Sequence, residues 1–322
     1  MQDPRNVPGI DPEMAEAMLK TRELLPDGRL DVTKAPIEDV RVQYFGERAH
    51  WNEDGPRMHR TEDISIDGPH GPIPVRFYYP SDGGKLPLLL YFHGGGFIYG
   101  GIPSHDKICR WMAARSGVAF ASVDYRLAPE HKFPTPLDEA LAVLEYSMAS
   151  AGKLGIDANR IGMGGDSAGA SITMGTALSL KAAGRANALK FMLLFYGNYG
   201  LGYDCESSRK YNDEIFGLSD TRRKFYRSSY VANEADHDDP RLNHLSADLA
   251  GLPPAFLGAA EMDPLCDNTP ALSERLTAAG VENSFTIYPG VLHGFLHLTR
   301  TVERARNALN DGGDAAGATL GA

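Results

Sequence analysis

Hydrophobic residues recur along this chain with two different spacings, and the two alternate. Residues 86–92, LPLLLYF, are apolar without interruption, which predicts a strand covered on both faces. Apolar runs at residues 118–125, 160–165, 189–196, 255–260 and 284–288 predict further strands, and residues 63–66 and 75–79, separated by DGPHGPIP, predict an antiparallel pair. Helical spacing appears between them. In the segment LDEALAVLEYSM, Leu137, Ala140, Leu141, Leu144 and Met148 form one core-facing stripe. Further helices are predicted after Ser167, around LSERLTAAG and from Phe295 onward. Strands alternating with helices imply right-handed crossovers and a mostly parallel sheet with helices on both faces, an α/β fold.

Three segments fall outside this alternation. Residues 11–25 read as a helix capped by Asp11, with Pro12 in the first turn and an apolar stripe of Met14, Met18, Leu19 and Leu25. A polar stretch bearing Pro and Gly follows, through Pro56, and must either lie against the rest of the protein or be mobile. Close to sixty residues separate the strand ending near Tyr196 from the one starting near Ala255, more than a crossover needs. They include a charged, aromatic-bearing helix (SDTRRKFYRSSYV) and the polar run NEADHDDPRLN, and they occupy the place of a lid on the C-terminal edge of a parallel sheet. The small, Gly-rich tail at residues 311–322 is expected to be disordered.

Composition narrows the function. With 32 Lys and Arg against 42 Asp and Glu, the formal charge of −10 disfavours nucleic acid and anionic membranes as partners. No apolar run approaches a membrane span, and MQDPRNVPGI has no export-signal pattern. Three widely spaced cysteines, Cys109, Cys205 and Cys266, suggest a reduced compartment without a disulfide or zinc framework, and a cytoplasmic location.

Two glycine clusters carry the chemistry. Gly165-Asp166-Ser167-Ala168-Gly169 matches G-x-S-x-G between a strand and a helix, the turn that projects a strained serine hydroxyl. His93-Gly94-Gly95-Gly96 follows the LPLLLYF strand, and consecutive glycines allow backbone N–H groups to approach a developing oxyanion. A serine needs an imidazole base held by a carboxylate, each on a loop after a later strand. His237 and His244 lie in the polar insertion and read as solvated, and His297 falls within the predicted last helix. His293, just past SFTIY, is the candidate base. In EMDPLCD, Asp267 suits a helix cap and Glu261 points toward neighbouring backbone, which leaves Asp263 as the candidate acid. Rival motifs fail. H-G-F-L-H at 293–297 lacks the glutamate of H-E-x-x-H, neither glycine cluster completes G-x-G-x-x-G, and GGDSAGAS lacks the Walker lysine.

HGGGF (93–97), DYRLAPEHKFP (124–134), GDSAG (165–169), DPLCD (263–267) and HGF (293–295), in this order, resemble the hormone-sensitive lipase family of α/β-hydrolases, which includes many bacterial carboxylesterases. The resemblance spans about residues 61–308 and implies an α/β-hydrolase fold, with a mostly parallel eight-stranded sheet, helices on both faces and a helical cap. It implies Ser167 as nucleophile, Asp263 as acid and His293 as base, with oxyanion donors on Gly95, Gly96 and Ala168 and with His93 and Gly94 as structural support. The cap would comprise residues 1–55 and 198–245, the catalytic domain residues 56–197 and 246–310. The chain departs from the family at FYGNYGLGYD, where many members carry a proline after the sixth strand. The implied activity is hydrolysis of small soluble esters of short to medium chain through an acyl-enzyme, without metal or organic cofactor. Related readings are an amidase, a carbamate hydrolase or a deacetylase, and a silent receptor like the plant gibberellin receptors, which lack the histidine. The charged insertion lacks the broad apolar face an interfacial lipase needs. A homodimer joined along the last strand is a further implication.

Overall fold

The computed structural model describes residues 2–321. Its eight strands are β1 (Arg60–Gly68), β2 (Gly71–Tyr79), β3 (Leu86–Phe92), β4 (Ala119–Val123), β5 (Ile156–Asp166), β6 (Met192–Phe195), β7 (Ala255–Ala260) and β8 (Asn283–Tyr288). They form one sheet in the order β1-β2-β4-β3-β5-β6-β7-β8. β1 and β2 pair antiparallel, β2 joins β4 antiparallel, and every other pairing is parallel. This is the α/β-hydrolase fold. The central strands β3, β4, β6 and β7 are buried along their whole length, which matches their uninterrupted apolar runs.

The helices are α1 (Pro12–Leu24), α2 (Ile37–Trp51), α3 (Ile102–Ser116), α4 (Thr135–Ala149), α5 (Ala151–Leu154), α6 (Ala168–Ala182), α7 (Glu206–Lys210), α8 (Asp220–Tyr230), α9 (Asn268–Ala278) and α10 (Glu303–Leu320). Asp11 caps α1 as the sequence predicts, accepting from the N–H groups of Glu13 and Met14.

Two helices lie where the sequence pattern assigns none, and two expectations need correction. The polar stretch before Pro56 contains α2, whose inward face is Val40, Tyr44, Glu47 and Trp51. Its helical spacing was hidden because one of the four inward residues is a carboxylate. α3 was not predicted for a related reason: its buried face carries Ser104, His105 and Lys107 among the apolar positions. The helix expected from Phe295 begins at Glu303, after a short 3-10 turn at Phe295–Leu298. The tail at residues 311–322 is not disordered over its described part, because α10 runs to Leu320. Its small residues form a buried face of Ala305, Ala308, Gly312, Gly313 and Ala316 that allows close packing on α3. Trp111 Nε1 donates to Asn310 Oδ1 at 3.0 Å, and Arg115 pairs with Asp314 at 2.6 Å. Among the described residues no helix is long and apolar enough to cross a membrane.

Candidate active site

The sheet delivers three side chains to its C-terminal edge, from loops after β5, β7 and β8. Ser167 stands between the last residue of β5 and the first of α6, with φ 53° and ψ −116°. Such a conformation costs a non-glycine residue about 1–3 kcal/mol. The surroundings hold it there: the Ser167 N–H donates to Phe195 O at 2.8 Å. A Cβ on Gly169 would lie 1.8 Å from the Phe92 carbonyl oxygen, so only glycine lets α6 start this close to β3. That contact accounts for the second glycine of the motif.

Past β8, His293 accepts the Ser167 Oγ–H at Nε2, 2.8 Å away, and donates its Nδ1–H to Asp263 Oδ2 at 2.6 Å. The tautomer follows from the partners, since a buried carboxylate can only accept. Asp263 is fully buried, and its other oxygen accepts the Leu265 N–H at 2.8 Å. The rejected carboxylates are engaged elsewhere. Glu261 accepts from the Gly290 N–H at 2.7 Å, as expected for a side chain turned to backbone. Asp267 occupies the N-cap position of α9 without a side-chain capping bond, and accepts instead from the Ser207 N–H at 2.8 Å. Among the remaining histidines, His237 is half-buried and accepts from Arg227 Nε at 2.7 Å. His244 is not solvated. It is completely buried beside Tyr199, and burial pushes its pKa down to about 4. The insertion that holds it is polar on average but folds back onto the core.

The glycine loop after β3 lies next to Ser167, and Gly95, Gly96, Ser167 and Ala168 line one cavity. Gly95 has φ 125°, and a Cβ there would lie 1.9 Å from the Tyr99 carbonyl oxygen. His93 lies behind the loop. Its Nδ1–H donates to Gly94 O at 2.8 Å, its ring stacks on Tyr125 at 4.2 Å, and burial pushes its pKa down to about 3, which leaves it neutral. The Tyr125 hydroxyl donates to His93 O at 2.8 Å, giving one residue of the DYRLAPE segment a physical task.

Sequence reasoning missed the group that anchors this loop. Asp166, within the serine motif but given no role, accepts from the Gly94 N–H at 3.0 Å, Tyr91 OH at 2.9 Å and Tyr196 OH at 3.3 Å. Burial raises its carboxyl, but His105 at 3.3 Å and these hydroxyls outweigh that and hold it below the ordinary carboxylate range. His105, Asp166 and His297 bring polar atoms within 4.8 Å of one another, yet His105 Nε2 is already paired with Asp166 Oδ1 at 3.3 Å, and Asp166 also accepts the Gly94 N–H. Tyr196, at the point where the chain departs from the family, packs its ring 4.9 Å from that of His293. No spacing marked these residues, because each contributes through a contact between distant segments.

The cavity over Ser167 has a volume of about 940 Å³. Met14, Met18 and Tyr44 of the N-terminal helices and Ile215, Phe216 and Tyr226 of the 198–245 segment line it. α8 rests on the glycine loop itself. The Tyr226 and Tyr99 hydroxyls are 2.9 Å apart, and the Tyr230 ring stacks on Phe97 at 3.8 Å.

A strained serine, an imidazole and a buried carboxylate beside a glycine loop define a hydrolase that works through a serine nucleophile. A family profile described as the alpha/beta hydrolase fold matches residues 89–297. The chain is 36% identical over 278 residues to an acetyl esterase of Salmonella schwarzengrund, covering 86% of this chain and 85% of that one. It superposes with a TM-score of 0.90 on a hyperthermophilic esterase of the archaeon Pyrobaculum calidifontis, at 31% identity over 98% of this chain and 100% of that one. An ester hydrolase from the metagenome of Lake Arreo gives a TM-score of 0.91 at 33% identity, over 97% and 100%. The chain belongs to the α/β-hydrolase family, in its hormone-sensitive-lipase-like branch of carboxylic ester hydrolases.

Proposed function

We propose that this carboxylic ester hydrolase acts on small soluble esters through an acyl-enzyme on Ser167, with acetyl and other short acyl groups as its substrates. The supporting observation is the hydrogen-bonded relay from Ser167 Oγ through His293 to Asp263, with links of 2.8 and 2.6 Å. His293 Nε2 takes the hydroxyl proton as Oγ attacks the ester carbonyl. The buried Asp263 stabilises the resulting imidazolium and holds it in register. The tetrahedral oxyanion is received by the peptide N–H groups of Gly95, Gly96 and Ala168, while His93, Gly94 and Asp166 hold the loop in place. His293 then passes its proton to the departing alcohol oxygen. Water enters, loses a proton to the same nitrogen, and releases the acid. The size of the acyl group is suggested by the acetyl esterase relative.

Replacing Ser167 with Ala removes nearly all turnover of p-nitrophenyl acetate, leaving roughly 10³–10⁴-fold over water from the oxyanion site and binding alone. The same variant no longer takes a fluorophosphonate label. Persistent labelling or turnover close to wild type would overturn the assignment. The three cysteines are free, which supports a reducing, cytoplasmic setting. Phe285 and Ile287, 43% and 39% exposed on the edge strand β8, support pairing of two copies along that edge.

A further inference from the structure

The cavity over Ser167 has the opposite charge bias to the chain around it. The protein carries a formal charge of −10. Yet Arg22, Arg29, Arg48, Arg222, Arg223 and Arg227 line this cavity, against Glu47, Asp166, Asp213 and Glu214. Ion pairs offset part of it: Arg222 pairs with Glu214 at 3.3 Å, and Arg223 pairs with Asp220. Glu47, itself buried, is shared by Arg29 at 2.6 Å and Arg48 at 3.5 Å. Arg227 donates to a ring nitrogen of His237, and Arg22 forms no ion pair among the described residues.

Two of these guanidinium groups are also short of acceptors. Arg48 Nε on α2 and Arg223 Nε on α8 are buried without a hydrogen-bond partner, on side chains only 11% and 6% exposed. An unmet buried donor is costly, and more so when it is charged. Neither donor is met from within the chain, so both side chains keep hydrogen-bonding capacity at the cavity they line. Arg48 is the freer of the two: Arg223 Nη2 already bonds Ser208 Oγ and Asp220, whereas the carboxylate beside Arg48, Glu47, is 3.5 Å away and also holds Arg29. Its guanidinium lies 4.9 Å over the Tyr44 ring, and both residues line the cavity. A guanidinium fork fits a carboxylate in two parallel hydrogen bonds, and low-dielectric surroundings strengthen that pairing.

We propose that the preferred substrates are esters carrying a carboxylate at the end remote from the scissile bond, and that Arg48 receives this group. The proposal rests on the esterase reading of Ser167 and narrows its substrate class to anionic esters. Two pairs of probes that differ only in charge test it. One pair places the group on the alcohol side (4-acetoxybenzoate and 4-acetoxybenzamide). The other places it on the acyl side (monoethyl glutarate and its terminal amide).

In at least one pair, kcat/KM for the carboxylate ester exceeds that for the amide by about tenfold or more, as expected for a charge-assisted pair, and the ratio shrinks in high salt. Arg48→Gln brings that ratio to about one, whereas Arg48→Lys, which keeps the charge but loses the fork, leaves it between that value and the wild-type ratio. Because each ratio is taken within one variant, a general loss of activity cancels. Amides preferred in both pairs, no turnover of either carboxylate ester, or a ratio unchanged by Arg48→Gln would each overturn the proposal. The esterase reading is scored separately, by Ser167-dependent turnover of p-nitrophenyl acetate.

Discussion

Asp263→Asn separates a carboxylate that positions the base from one that merely lies nearby. The native carboxylate accepts twice, from the Leu265 N–H at 2.8 Å and from His293 Nδ1–H at 2.6 Å. An asparagine has one acceptor oxygen. The Leu265 amide is fixed by the backbone and can only donate, so the oxygen stays on it and the NH₂ group turns to His293. Nδ1 must then present a lone pair, which moves the ring proton to Nε2. At 2.8 Å from Ser167 Oγ, the imidazole then offers a donor where the serine proton needs an acceptor. The expected loss in kcat is about 10⁴-fold, or roughly 5.5 kcal/mol of transition-state stabilisation. KM should stay within about threefold, since neither side chain binds the ester in its ground state.

The control is Asp267→Asn, which weakens only a bond from the Ser207 N–H and should cost less than about tenfold. Steady-state rates with p-nitrophenyl acetate, beside fluorophosphonate labelling and circular dichroism to verify folding, make the comparison. Equal losses in the two variants, or a loss below about tenfold for Asp263→Asn in a folded protein, would refute the tautomer reasoning.

Acid stability provides a second check. His244 takes a proton near pH 6.5 when unfolded but only near 4 when folded, so the unfolded state binds the proton first and stability falls as the pH drops from 6.5 to 4. The shift is worth about 3 kcal/mol across that window. His244→Phe should therefore flatten the acid limb of Tm against pH, and parallel limbs for the two proteins would count against it. At the sheet edge, Phe285→Asp with Ile287→Asp should convert a dimer to monomers in light scattering after gel filtration. A monomeric wild type, or a dimer that survives both changes, would remove β8 as the contact.

The strands could be read from the sequence because the buried central ones have almost no polar positions to confuse them, Ser122 of β4 being the exception. Ser167 could be singled out because the G-x-S-x-G turn is local, whereas His293 was chosen from its place after a later strand. α2, α3 and the end of α10 were not. The face of α2 includes Glu47, that of α3 includes His105 and Lys107, and that of α10 is built from glycine and alanine. Side chains of these kinds usually mark exposed or flexible chain, and here they are buried by partners far away in sequence. His244 misled for the same reason, as a buried residue in a polar segment.

The amino-acid sequence by itself therefore determined the α/β class and the serine turn, since these depend on residue types within a few positions of one another, while the order of acid and base was implied by the family resemblance. Tertiary structure alone decided that Asp166 anchors the glycine loop, that Tyr196 packs on His293, and that six arginines meet over Ser167. Those outcomes depend on burial and on pairings across long stretches of chain. A hydrogen bond between residues 94 and 166 leaves no periodic trace in either neighbourhood, and it exists only once the sheet has brought β3 and β5 side by side.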